Sequence, residues 1–336
     1  ISLSNNDSGT SNTVFGKSAG TPDSGSSYNV YIGESAAGGG TLDDCMGNIA
    51  IGYRSLYDLT SGDYNLCIGK DSGYNITSGL SNIAIGTDSL YTATDDSQNV
   101  VVGREAGYYT TGSSNVYLGH NTGKGAAGAE SENVGIGKDS LFDITSASGV
   151  VAVGTESAYN ITSGSESVAI GKQALYTATT VGANTAVGYQ ALKLNAVASN
   201  TAVGHTAGLN TTGTLNTYVG SAAGAGAAGA EANNVGVGAN ALLAITTGSA
   251  NVAIGKQSMA AETDGVSAME AMDATADGLA DCVAIGYEAF KGNASNTTTG
   301  AAGTVAVGTQ ALTALTSGAN NTAVGYQSGK ALTTGL

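Results

Sequence analysis

The sequence predicts an all-β fold, a parallel β-roll in which one short strand per coil stacks on the next. A five-residue phrase carries this prediction: Asn, a small or β-branched residue, a small residue, a β-branched residue and Gly. Eighteen copies occur in 336 residues, fourteen of them beginning with Asn, for example 48–52 (NIAIG) and 321–325 (NTAVG). Its Gly recurs every 16 to 19 residues, except between Gly255 and Gly286 (31) and between Gly286 and Gly308 (22). Such a fixed period, about 17 residues here, is typical of a solenoid.

Each coil is described by counting the Asn as position 0. Positions 1 and 3 are mostly β-branched and position 2 is usually Ala, so the phrase predicts a strand with positions 1 and 3 on one face. We expect that face to form the core, and the Ala face to admit the close approach of a second chain. Gly at position 4 predicts a corner that needs positive φ or close backbone contact. Turn residues at positions 12 to 14, such as 60–62 (TSG) and 77–79 (TSG), predict a second corner and therefore a flattened, two-sided roll.

Two further positions predict ladders along the stacked coils. Position 0 is Asn in fourteen of the eighteen copies, which favours a structural ladder of side-chain amides rather than a catalytic amide. Position 9 is often aromatic, which predicts a stack of rings that pack on one another; a sugar-binding strip is the alternative. The aromatic residues at this position are Tyr57, Tyr74, Tyr91 and Tyr108, followed by Phe142, Tyr159 and Tyr176.

Composition limits the classes of partner. The chain has 52 Gly, one Pro and no Trp, and its small aliphatic side chains give each coil a thin core, so we expect oligomerisation. The net charge of −15, with eleven basic residues, argues against nucleic acid and anionic membranes as partners. The longest apolar runs are too short to cross a bilayer, so we expect no membrane insertion. The three cysteines lack the spacing of a metal site or a disulfide framework.

Residues capable of catalysis are few. His120 and His205 both occupy position 5, five coils apart, too far to share a metal ion. The acidic row at position 6, which includes Asp71 and Asp88, could reach the spacing of glycosidase carboxylates, but so would any regular acidic row. We therefore expect no enzymatic activity and no cofactor, with a tailspike-like solenoid that cleaves surface polysaccharide as the alternative.

Two insertions interrupt the repeat in the otherwise single roll domain predicted for residues 1–336. Residues 260–281 form an acidic insertion and residues 291–303 a Gly- and Thr-rich loop. Irregular insertions on a regular scaffold are favoured places for recognition, and the acidic one could bind calcium. The candidate metal ligands are Asp264, Glu270, Asp273 and Asp277. The candidate surface contacts are these four with Glu262, Asn293, Asn296 and Thr297.

The repeat resembles a known family. Residues 167–171 (SVAIG), 251–255 (NVAIG) and 184–192 (NTAVGYQAL) are similar to the head repeats of trimeric autotransporter adhesins and to related repeats of phage tail fibres and other surface fibres. The resemblance implies a left-handed roll, a homotrimer and attachment to a carbohydrate or protein receptor on a host. The protein would then be extracellular, on a cell or virion surface. The coil here is longer than in the best-known adhesin heads, and we expect no neck, coiled-coil stalk or membrane anchor within these 336 residues.

The leading hypothesis is therefore a non-enzymatic fibre head or shaft that displays loops for host attachment, of bacterial or viral origin. A solenoid that binds ice or mineral through a flat Thr-rich face is a third possibility.

Overall fold

The computed structural model describes residues 11–20, 25–125, 128–226, 231–244, 249–260, 282–291 and 301–335. These residues contain eighteen strands of three residues each, all parallel, and no helix. Each strand coincides with positions 1 to 3 of one repeat. The predicted all-β, parallel solenoid with coils of about 17 residues is confirmed.

The chain divides into two compact units, Ile1–Ser167 and Val168–Leu336. Unit 1 contains β1 (Thr13–Phe15), β2 (Val30–Ile32), β3 (Ile49–Ile51), β4 (Leu66–Ile68), β5 (Ile83–Ile85), β6 (Val100–Val102), β7 (Val116–Leu118), β8 (Val134–Ile136) and β9 (Val151–Val153). Unit 2 contains β10 (Val168–Ile170), β11 (Thr185–Val187), β12 (Thr201–Val203), β13 (Thr217–Val219), β14 (Val235–Val237), β15 (Val252–Ile254), β16 (Val283–Ile285), β17 (Val305–Val307) and β18 (Thr322–Val324). Within each unit every strand pairs with the next in register, as Ala84 does with Val101. That residues 1–336 form a single domain stays a prediction.

The predicted inside and outside of the strand were wrong. Position 2 is buried in all eighteen described strands, whereas positions 1 and 3 are half-buried or exposed. Ala84 is 0% exposed, while Ile83 and Ile85 beside it are half-buried. The interior of the roll is narrow enough that Ala fills it, so the larger β-branched side chains point out of the coil.

The side chains at positions 2 and 8 of each coil fill the interior together, and their sizes are complementary. Where position 2 is Ala or Gly, position 8 is usually a buried Leu, as in the pair Ala84 and Leu90. Where position 2 is Tyr, position 8 is Gly or Ala, as in the pairs Tyr117 with Gly123 and Tyr31 with Ala37. A Cβ atom on Gly123 would lie 2.5 Å from the Tyr117 ring. The two positions therefore share one interior space, packed closely enough to exclude any second large side chain.

The corner after the strand depends on glycine, as predicted. Gly86 has φ +137, and a Cβ atom there would lie 2.4 Å from the carbonyl oxygen of Gly103 in the next coil. Both the backbone angle and the close approach exclude a side chain. Position 6 also has positive φ throughout, but with non-glycine residues such as Asp88 (φ 56). The chain then returns through turns rather than through a second strand in the described residues. Their backbone still bonds between coils, for example from Leu90 N–H to the Ala106 carbonyl at 3.0 Å.

The predicted asparagine ladder is confirmed. From Asn29 to Asn133 each side-chain amide in unit 1 donates to the Oδ1 atom of the Asn in the preceding coil, at 3.0 to 3.3 Å. The same amide also donates to a backbone carbonyl across the coil, as Asn82 does to Asp96 at 2.8 Å. These side chains are buried, so the ladder satisfies polar groups that would otherwise be costly inside the roll.

Candidate interaction surface

The outer face of the β-sheet is the broadest candidate surface on each unit. We define it as the side chains at positions 1 and 3 of the strands, which form two parallel ranks. In unit 1 the ranks include Ile49, Leu66 and Ile83 at position 1 and Ile51 and Ile68 at position 3, aligned by the strand register. None of these positions carries a charge in any of the eighteen described strands. The outer face is thus apolar in a chain whose net charge is −15.

Side chains on the outer face are covered on two sides only. Each lies between its counterparts in the adjacent coils, about 4.8 Å away along the sheet, so the tip stays open. Ile170 is 39% exposed, Val203 37% and Ile254 39%, although each lies inside an ordered sheet. Such rows form a contiguous apolar surface, whereas an ordinary protein surface has scattered single hydrophobic residues. Contiguous apolar patches generally mark an interaction site.

Unit 2 carries a block of threonine on this face. Thr185, Thr201 and Thr217 occupy position 1 of β11, β12 and β13 and lie side by side in register. Position 3 of the same strands is Val187, Val203 and Val219. The strands on either side, β10 and β14, have Val at position 1. The block is therefore three hydroxyl-bearing layers within an apolar rank.

The predicted aromatic ladder is confirmed in unit 1. The rings of Tyr57, Tyr74, Tyr91 and Tyr108 stack with centroids 5.0, 5.0 and 4.9 Å apart. Phe142 and Tyr159 stack in the same way at 4.9 Å. Because each inner ring is covered on both faces by its neighbours, it offers its edge rather than its face to a ligand. This arrangement favours self-stacking over the sugar-binding strip.

Most described acidic residues at position 6 are ion-paired: Asp71, Glu105, Asp139 and Glu288. Asp71 is 2% exposed and accepts two hydrogen bonds from Arg54, at 2.7 and 3.0 Å. Its carboxylate raises the pKa of the Arg54 guanidinium above its ordinary value, chiefly through this hydrogen bond. Lys124 and Arg104 both pair with Glu105, at 2.5 and 2.9 Å. Arg54 thus neutralises Asp71, one of the two carboxylates whose spacing could suit glycoside hydrolysis.

The residues chosen as sites from the sequence fall mainly in undescribed segments. Glu262, Asp264, Glu270, Asp273 and Asp277 in the acidic insertion lie outside the described residues. So do Asn293, Asn296 and Thr297 in the second loop.

Their flanks show where the two insertions leave the roll. Ala260 and Lys291 both occupy position 9, and the strands that follow resume in register, with Val252 paired to Val283 and Val283 to Val305. Both insertions therefore lie between position 9 of one coil and the strand of the next, in adjacent coils.

The remaining chemistry-bearing residues are dispersed. Within the described ranges there is no cluster of three His, Cys, Asp or Glu side chains that could hold a metal ion. The three cysteines are buried thiols, and burial raises the pKa of the Cys67 thiol to about 12, so it is unreactive as a nucleophile. His205 is exposed and stacks on Tyr189 at 5.1 Å, while His120 contacts Arg104.

Comparisons with known proteins add no family to this geometry. The described residues contain no helix long and apolar enough to cross a bilayer. No protein-family model matches the chain, and no curated protein matches its sequence.

Proposed function

We propose that the chain is a non-enzymatic fibre subunit that assembles as a homotrimer through its outer face and displays loops for attachment to a host surface. The observation that supports it best is the pair of uncharged, β-branched ranks, half-exposed in each unit. A second copy presents the same side chains at the same coil spacing, so the ranks of two chains can interdigitate over many layers. The number three, the left-handed winding and the extracellular location come from the repeat's resemblance to fibre proteins.

The insertions supply the attachment part of the proposal. They begin after the same position of adjacent coils, so they are placed to act on one partner. A trimer would present three copies of this pair, and linked weak contacts bind far more tightly than one alone. The partner is a surface carbohydrate or protein. The acidic insertion could take calcium, which isothermal titration with calcium chloride would detect.

Mass measurement of the whole chain by light scattering tests the assembly. We expect three times the mass of one chain. Ile85→Glu places a charge on the outer face and should dissociate the trimer. Ser81→Glu is the matched control, because Ser81 is exposed at position −1, where Glu132 and Glu166 occur naturally. A stable wild-type monomer, or an Ile85→Glu trimer as stable as the control, contradicts the proposed assembly.

Replacing the insertion tests attachment separately. A variant in which residues 261–281 are replaced by a turn of ordinary coil length should fold and trimerise but lose binding to host cells. The same replacement at residues 292–300 separates the contribution of the second loop. Unchanged cell binding by both variants would remove the insertions from the proposal.

One observation favours a second candidate, a surface binder for ice or mineral. The Thr185, Thr201 and Thr217 block lies on a strand face, in register across three coils. A flat, regular array of hydroxyls and methyl groups suits a crystalline surface. Freezing-point depression measured on the monomer and the oligomer separates the two candidates, since an assembled outer face would be covered.

A further inference from the structure

Besides Asp71, which pairs with Arg54, two carboxyl-bearing residues of unit 1 are buried. Asp96 is 8% exposed and Glu130 is 1% exposed. Their backbone carbonyls accept hydrogen bonds from the asparagine ladder, Asp96 from Asn82 at 2.8 Å and Glu130 from Asn115 at 3.0 Å. In the coil between them, the carbonyl of Gly112 accepts the equivalent hydrogen bond, from Asn99 at 3.0 Å. No side chain therefore separates the two acidic residues along this column.

The surroundings of Glu130 favour a neutral carboxyl. Its Oε2 atom is buried without a hydrogen-bond partner, and so is the phenol oxygen of Tyr117 in the same coil. Desolvation by burial raises the pKa of Glu130 to about 8, opposed by hydrogen bonds that include the Thr110 side chain and the Thr111 backbone. The carboxylate of Asp96 raises the pKa of Glu130 further. Burial likewise raises the pKa of Asp96 to about 6.

The charged groups of the adjoining coils are engaged elsewhere. Lys124, in the same coil, pairs with Glu105 at 2.5 Å, and Arg104 in the preceding coil pairs with the same carboxylate. Lys138 in the following coil pairs with Asp139 at 3.1 Å. In the column itself, the following coil places Ala147 at the site of Glu130. The remaining ionisable residues of these coils are at exposed or half-exposed positions: Glu132, Tyr108, Tyr109, His120 and Asp143.

We propose that Glu130 binds a proton inside folded unit 1, and that release of this proton opens the coils around β7 as the pH rises. In the neutral form the carboxyl keeps one O–H donor for the buried oxygens near it. In the ionised form, the negative charge of Glu130 lies on a side chain that is only 1% exposed, and Asp96 in the same column carries a like charge. Burying a charge in such surroundings is strongly unfavourable. Opening the coil lets water solvate the charge.

The direction of the pH dependence follows from the two pKa values. The folded pKa of Glu130, about 8, is above its ordinary value of 4.5, so the folded coil holds a proton that the opened coil releases. Its stabilising effect is complete below pH 4.5 and is lost as the pH rises to about 8. Asp96 acts in the same direction between its ordinary 3.8 and about 6. One proton changes the opening constant by up to about tenfold per pH unit in this window.

A near-duplicate of this coil in unit 2 provides an internal reference. Residues 216–238 repeat the sequence of 115–137, and place Tyr218 and Glu231 at the sites of Tyr117 and Glu130. Val197 occupies the site of Asp96, because its carbonyl accepts the ladder bond from Asn184 at 3.1 Å. The second coil therefore lacks the neighbouring carboxyl group.

Hydrogen exchange read by mass spectrometry on the full chain, from pH 5 to pH 9, tests the proposal. After correction for intrinsic exchange rates, protection of β7 should fall by about tenfold or more between pH 5 and pH 8 and then level off. Glu130→Gln should remove most of this dependence, whereas Glu231→Gln should leave β7 unchanged. Asp96→Asn should move the midpoint of the loss to lower pH, which serves as a second test if Glu130→Gln does not fold.

Two results would overturn the proposal. One is wild-type protection at β7 that stays constant from pH 5 to pH 9. The other is a folded Glu130→Gln protein whose β7 protection retains the full pH dependence of the wild type.

Discussion

The two faces of a single strand differ in how much space surrounds their side chains. In β11, Ala186 faces the interior at 0% exposure, while Thr185 and Val187 on either side of it face outward and are half-buried. The interior of this coil has no space for a larger group, whereas the outer face has space that the described residues leave unfilled. Side-chain size therefore does not mark the core of this roll. The β-branched residues of the strand lie where the described part of the chain leaves them partly uncovered.

This difference separates the stability of one chain from its assembly. Changes inside the roll should alter the free energy of unfolding of the chain itself. Changes on the outer face should leave the chain folded and alter what it associates with.

The largest effect is expected from enlarging an interior residue. Ala186→Leu adds three carbon atoms between Ala169 and Ala202, its neighbours in the stack, and should destabilise the chain by about 3 kcal/mol. The matched variant Val187→Leu enlarges the adjacent outward position and should change stability by less than about 0.5 kcal/mol. Urea unfolding followed by circular dichroism measures both. Equal costs at the two positions would show that the outer face is as closely packed as the interior.

How much of this could be foreseen from the sequence differs between backbone and side chains. The strands were predictable from the alternation of β-branched and small residues. The corner and the ladder were predictable because each requires one residue type at one position, Gly at position 4 and Asn at position 0. The orientation of the strand was predicted wrongly, because β-branched residues were assumed to form the core. A usable signal was present: Tyr117 occurs with Gly123, and Ala84 with Leu90, so positions 2 and 8 exchange volume within a coil.

The buried carboxyls were harder to find. Asp96 and Glu130 occupy turn-rich segments between two strands, where acidic residues are ordinarily solvated. Only the ladder bond to each carbonyl places them in one interior column. Sequence spacing did not reveal this column. Coil lengths vary between 16 and 19 residues, so equivalent residues near the second corner have different position numbers in different coils.

A smaller effect is expected from breaking the ladder. Asn82→Ala removes a donor to Asn65 at 3.0 Å and to the Asp96 carbonyl, and an acceptor for the Asn99 amide at 3.2 Å. Leaving such groups unpaired inside the roll should cost about 2 kcal/mol. Val150 is a natural break in the same ladder, so Val150→Asn should stabilise unit 1 instead. Thermal unfolding of the two variants would contradict the ladder's role if both shifts had the same sign.

The threonine block tests what the outer face recognises. The repeat makes this face nearly identical from coil to coil, so two chains could pair with a shift of one coil at little cost. Three polar layers would penalise such a shift, because a buried hydroxyl facing a methyl group loses its partner. The triple variant Thr185→Val, Thr201→Val and Thr217→Val should associate more tightly, by about 1 kcal/mol per layer, but into several species. Sedimentation velocity would reveal them; a single, more weakly associated species would contradict a role in register.

The smallest effect is expected at the corner between the outer face and the returning turns. Ala222 occupies position 6 with φ 54, a conformation that costs a non-glycine residue about 1 to 2 kcal/mol. Ala222→Gly removes this cost but adds about 0.5 to 1 kcal/mol of unfolded-chain entropy, so a net gain of about 0.5 kcal/mol is expected. Gly220→Ala, two residues earlier, should instead be strongly destabilising, since its Cβ would lie 2.5 Å from the Gly238 carbonyl oxygen. If Ala222→Gly destabilised the roll, the side chain at position 6 would contribute packing as well as a turn, and the corner would belong to the interior.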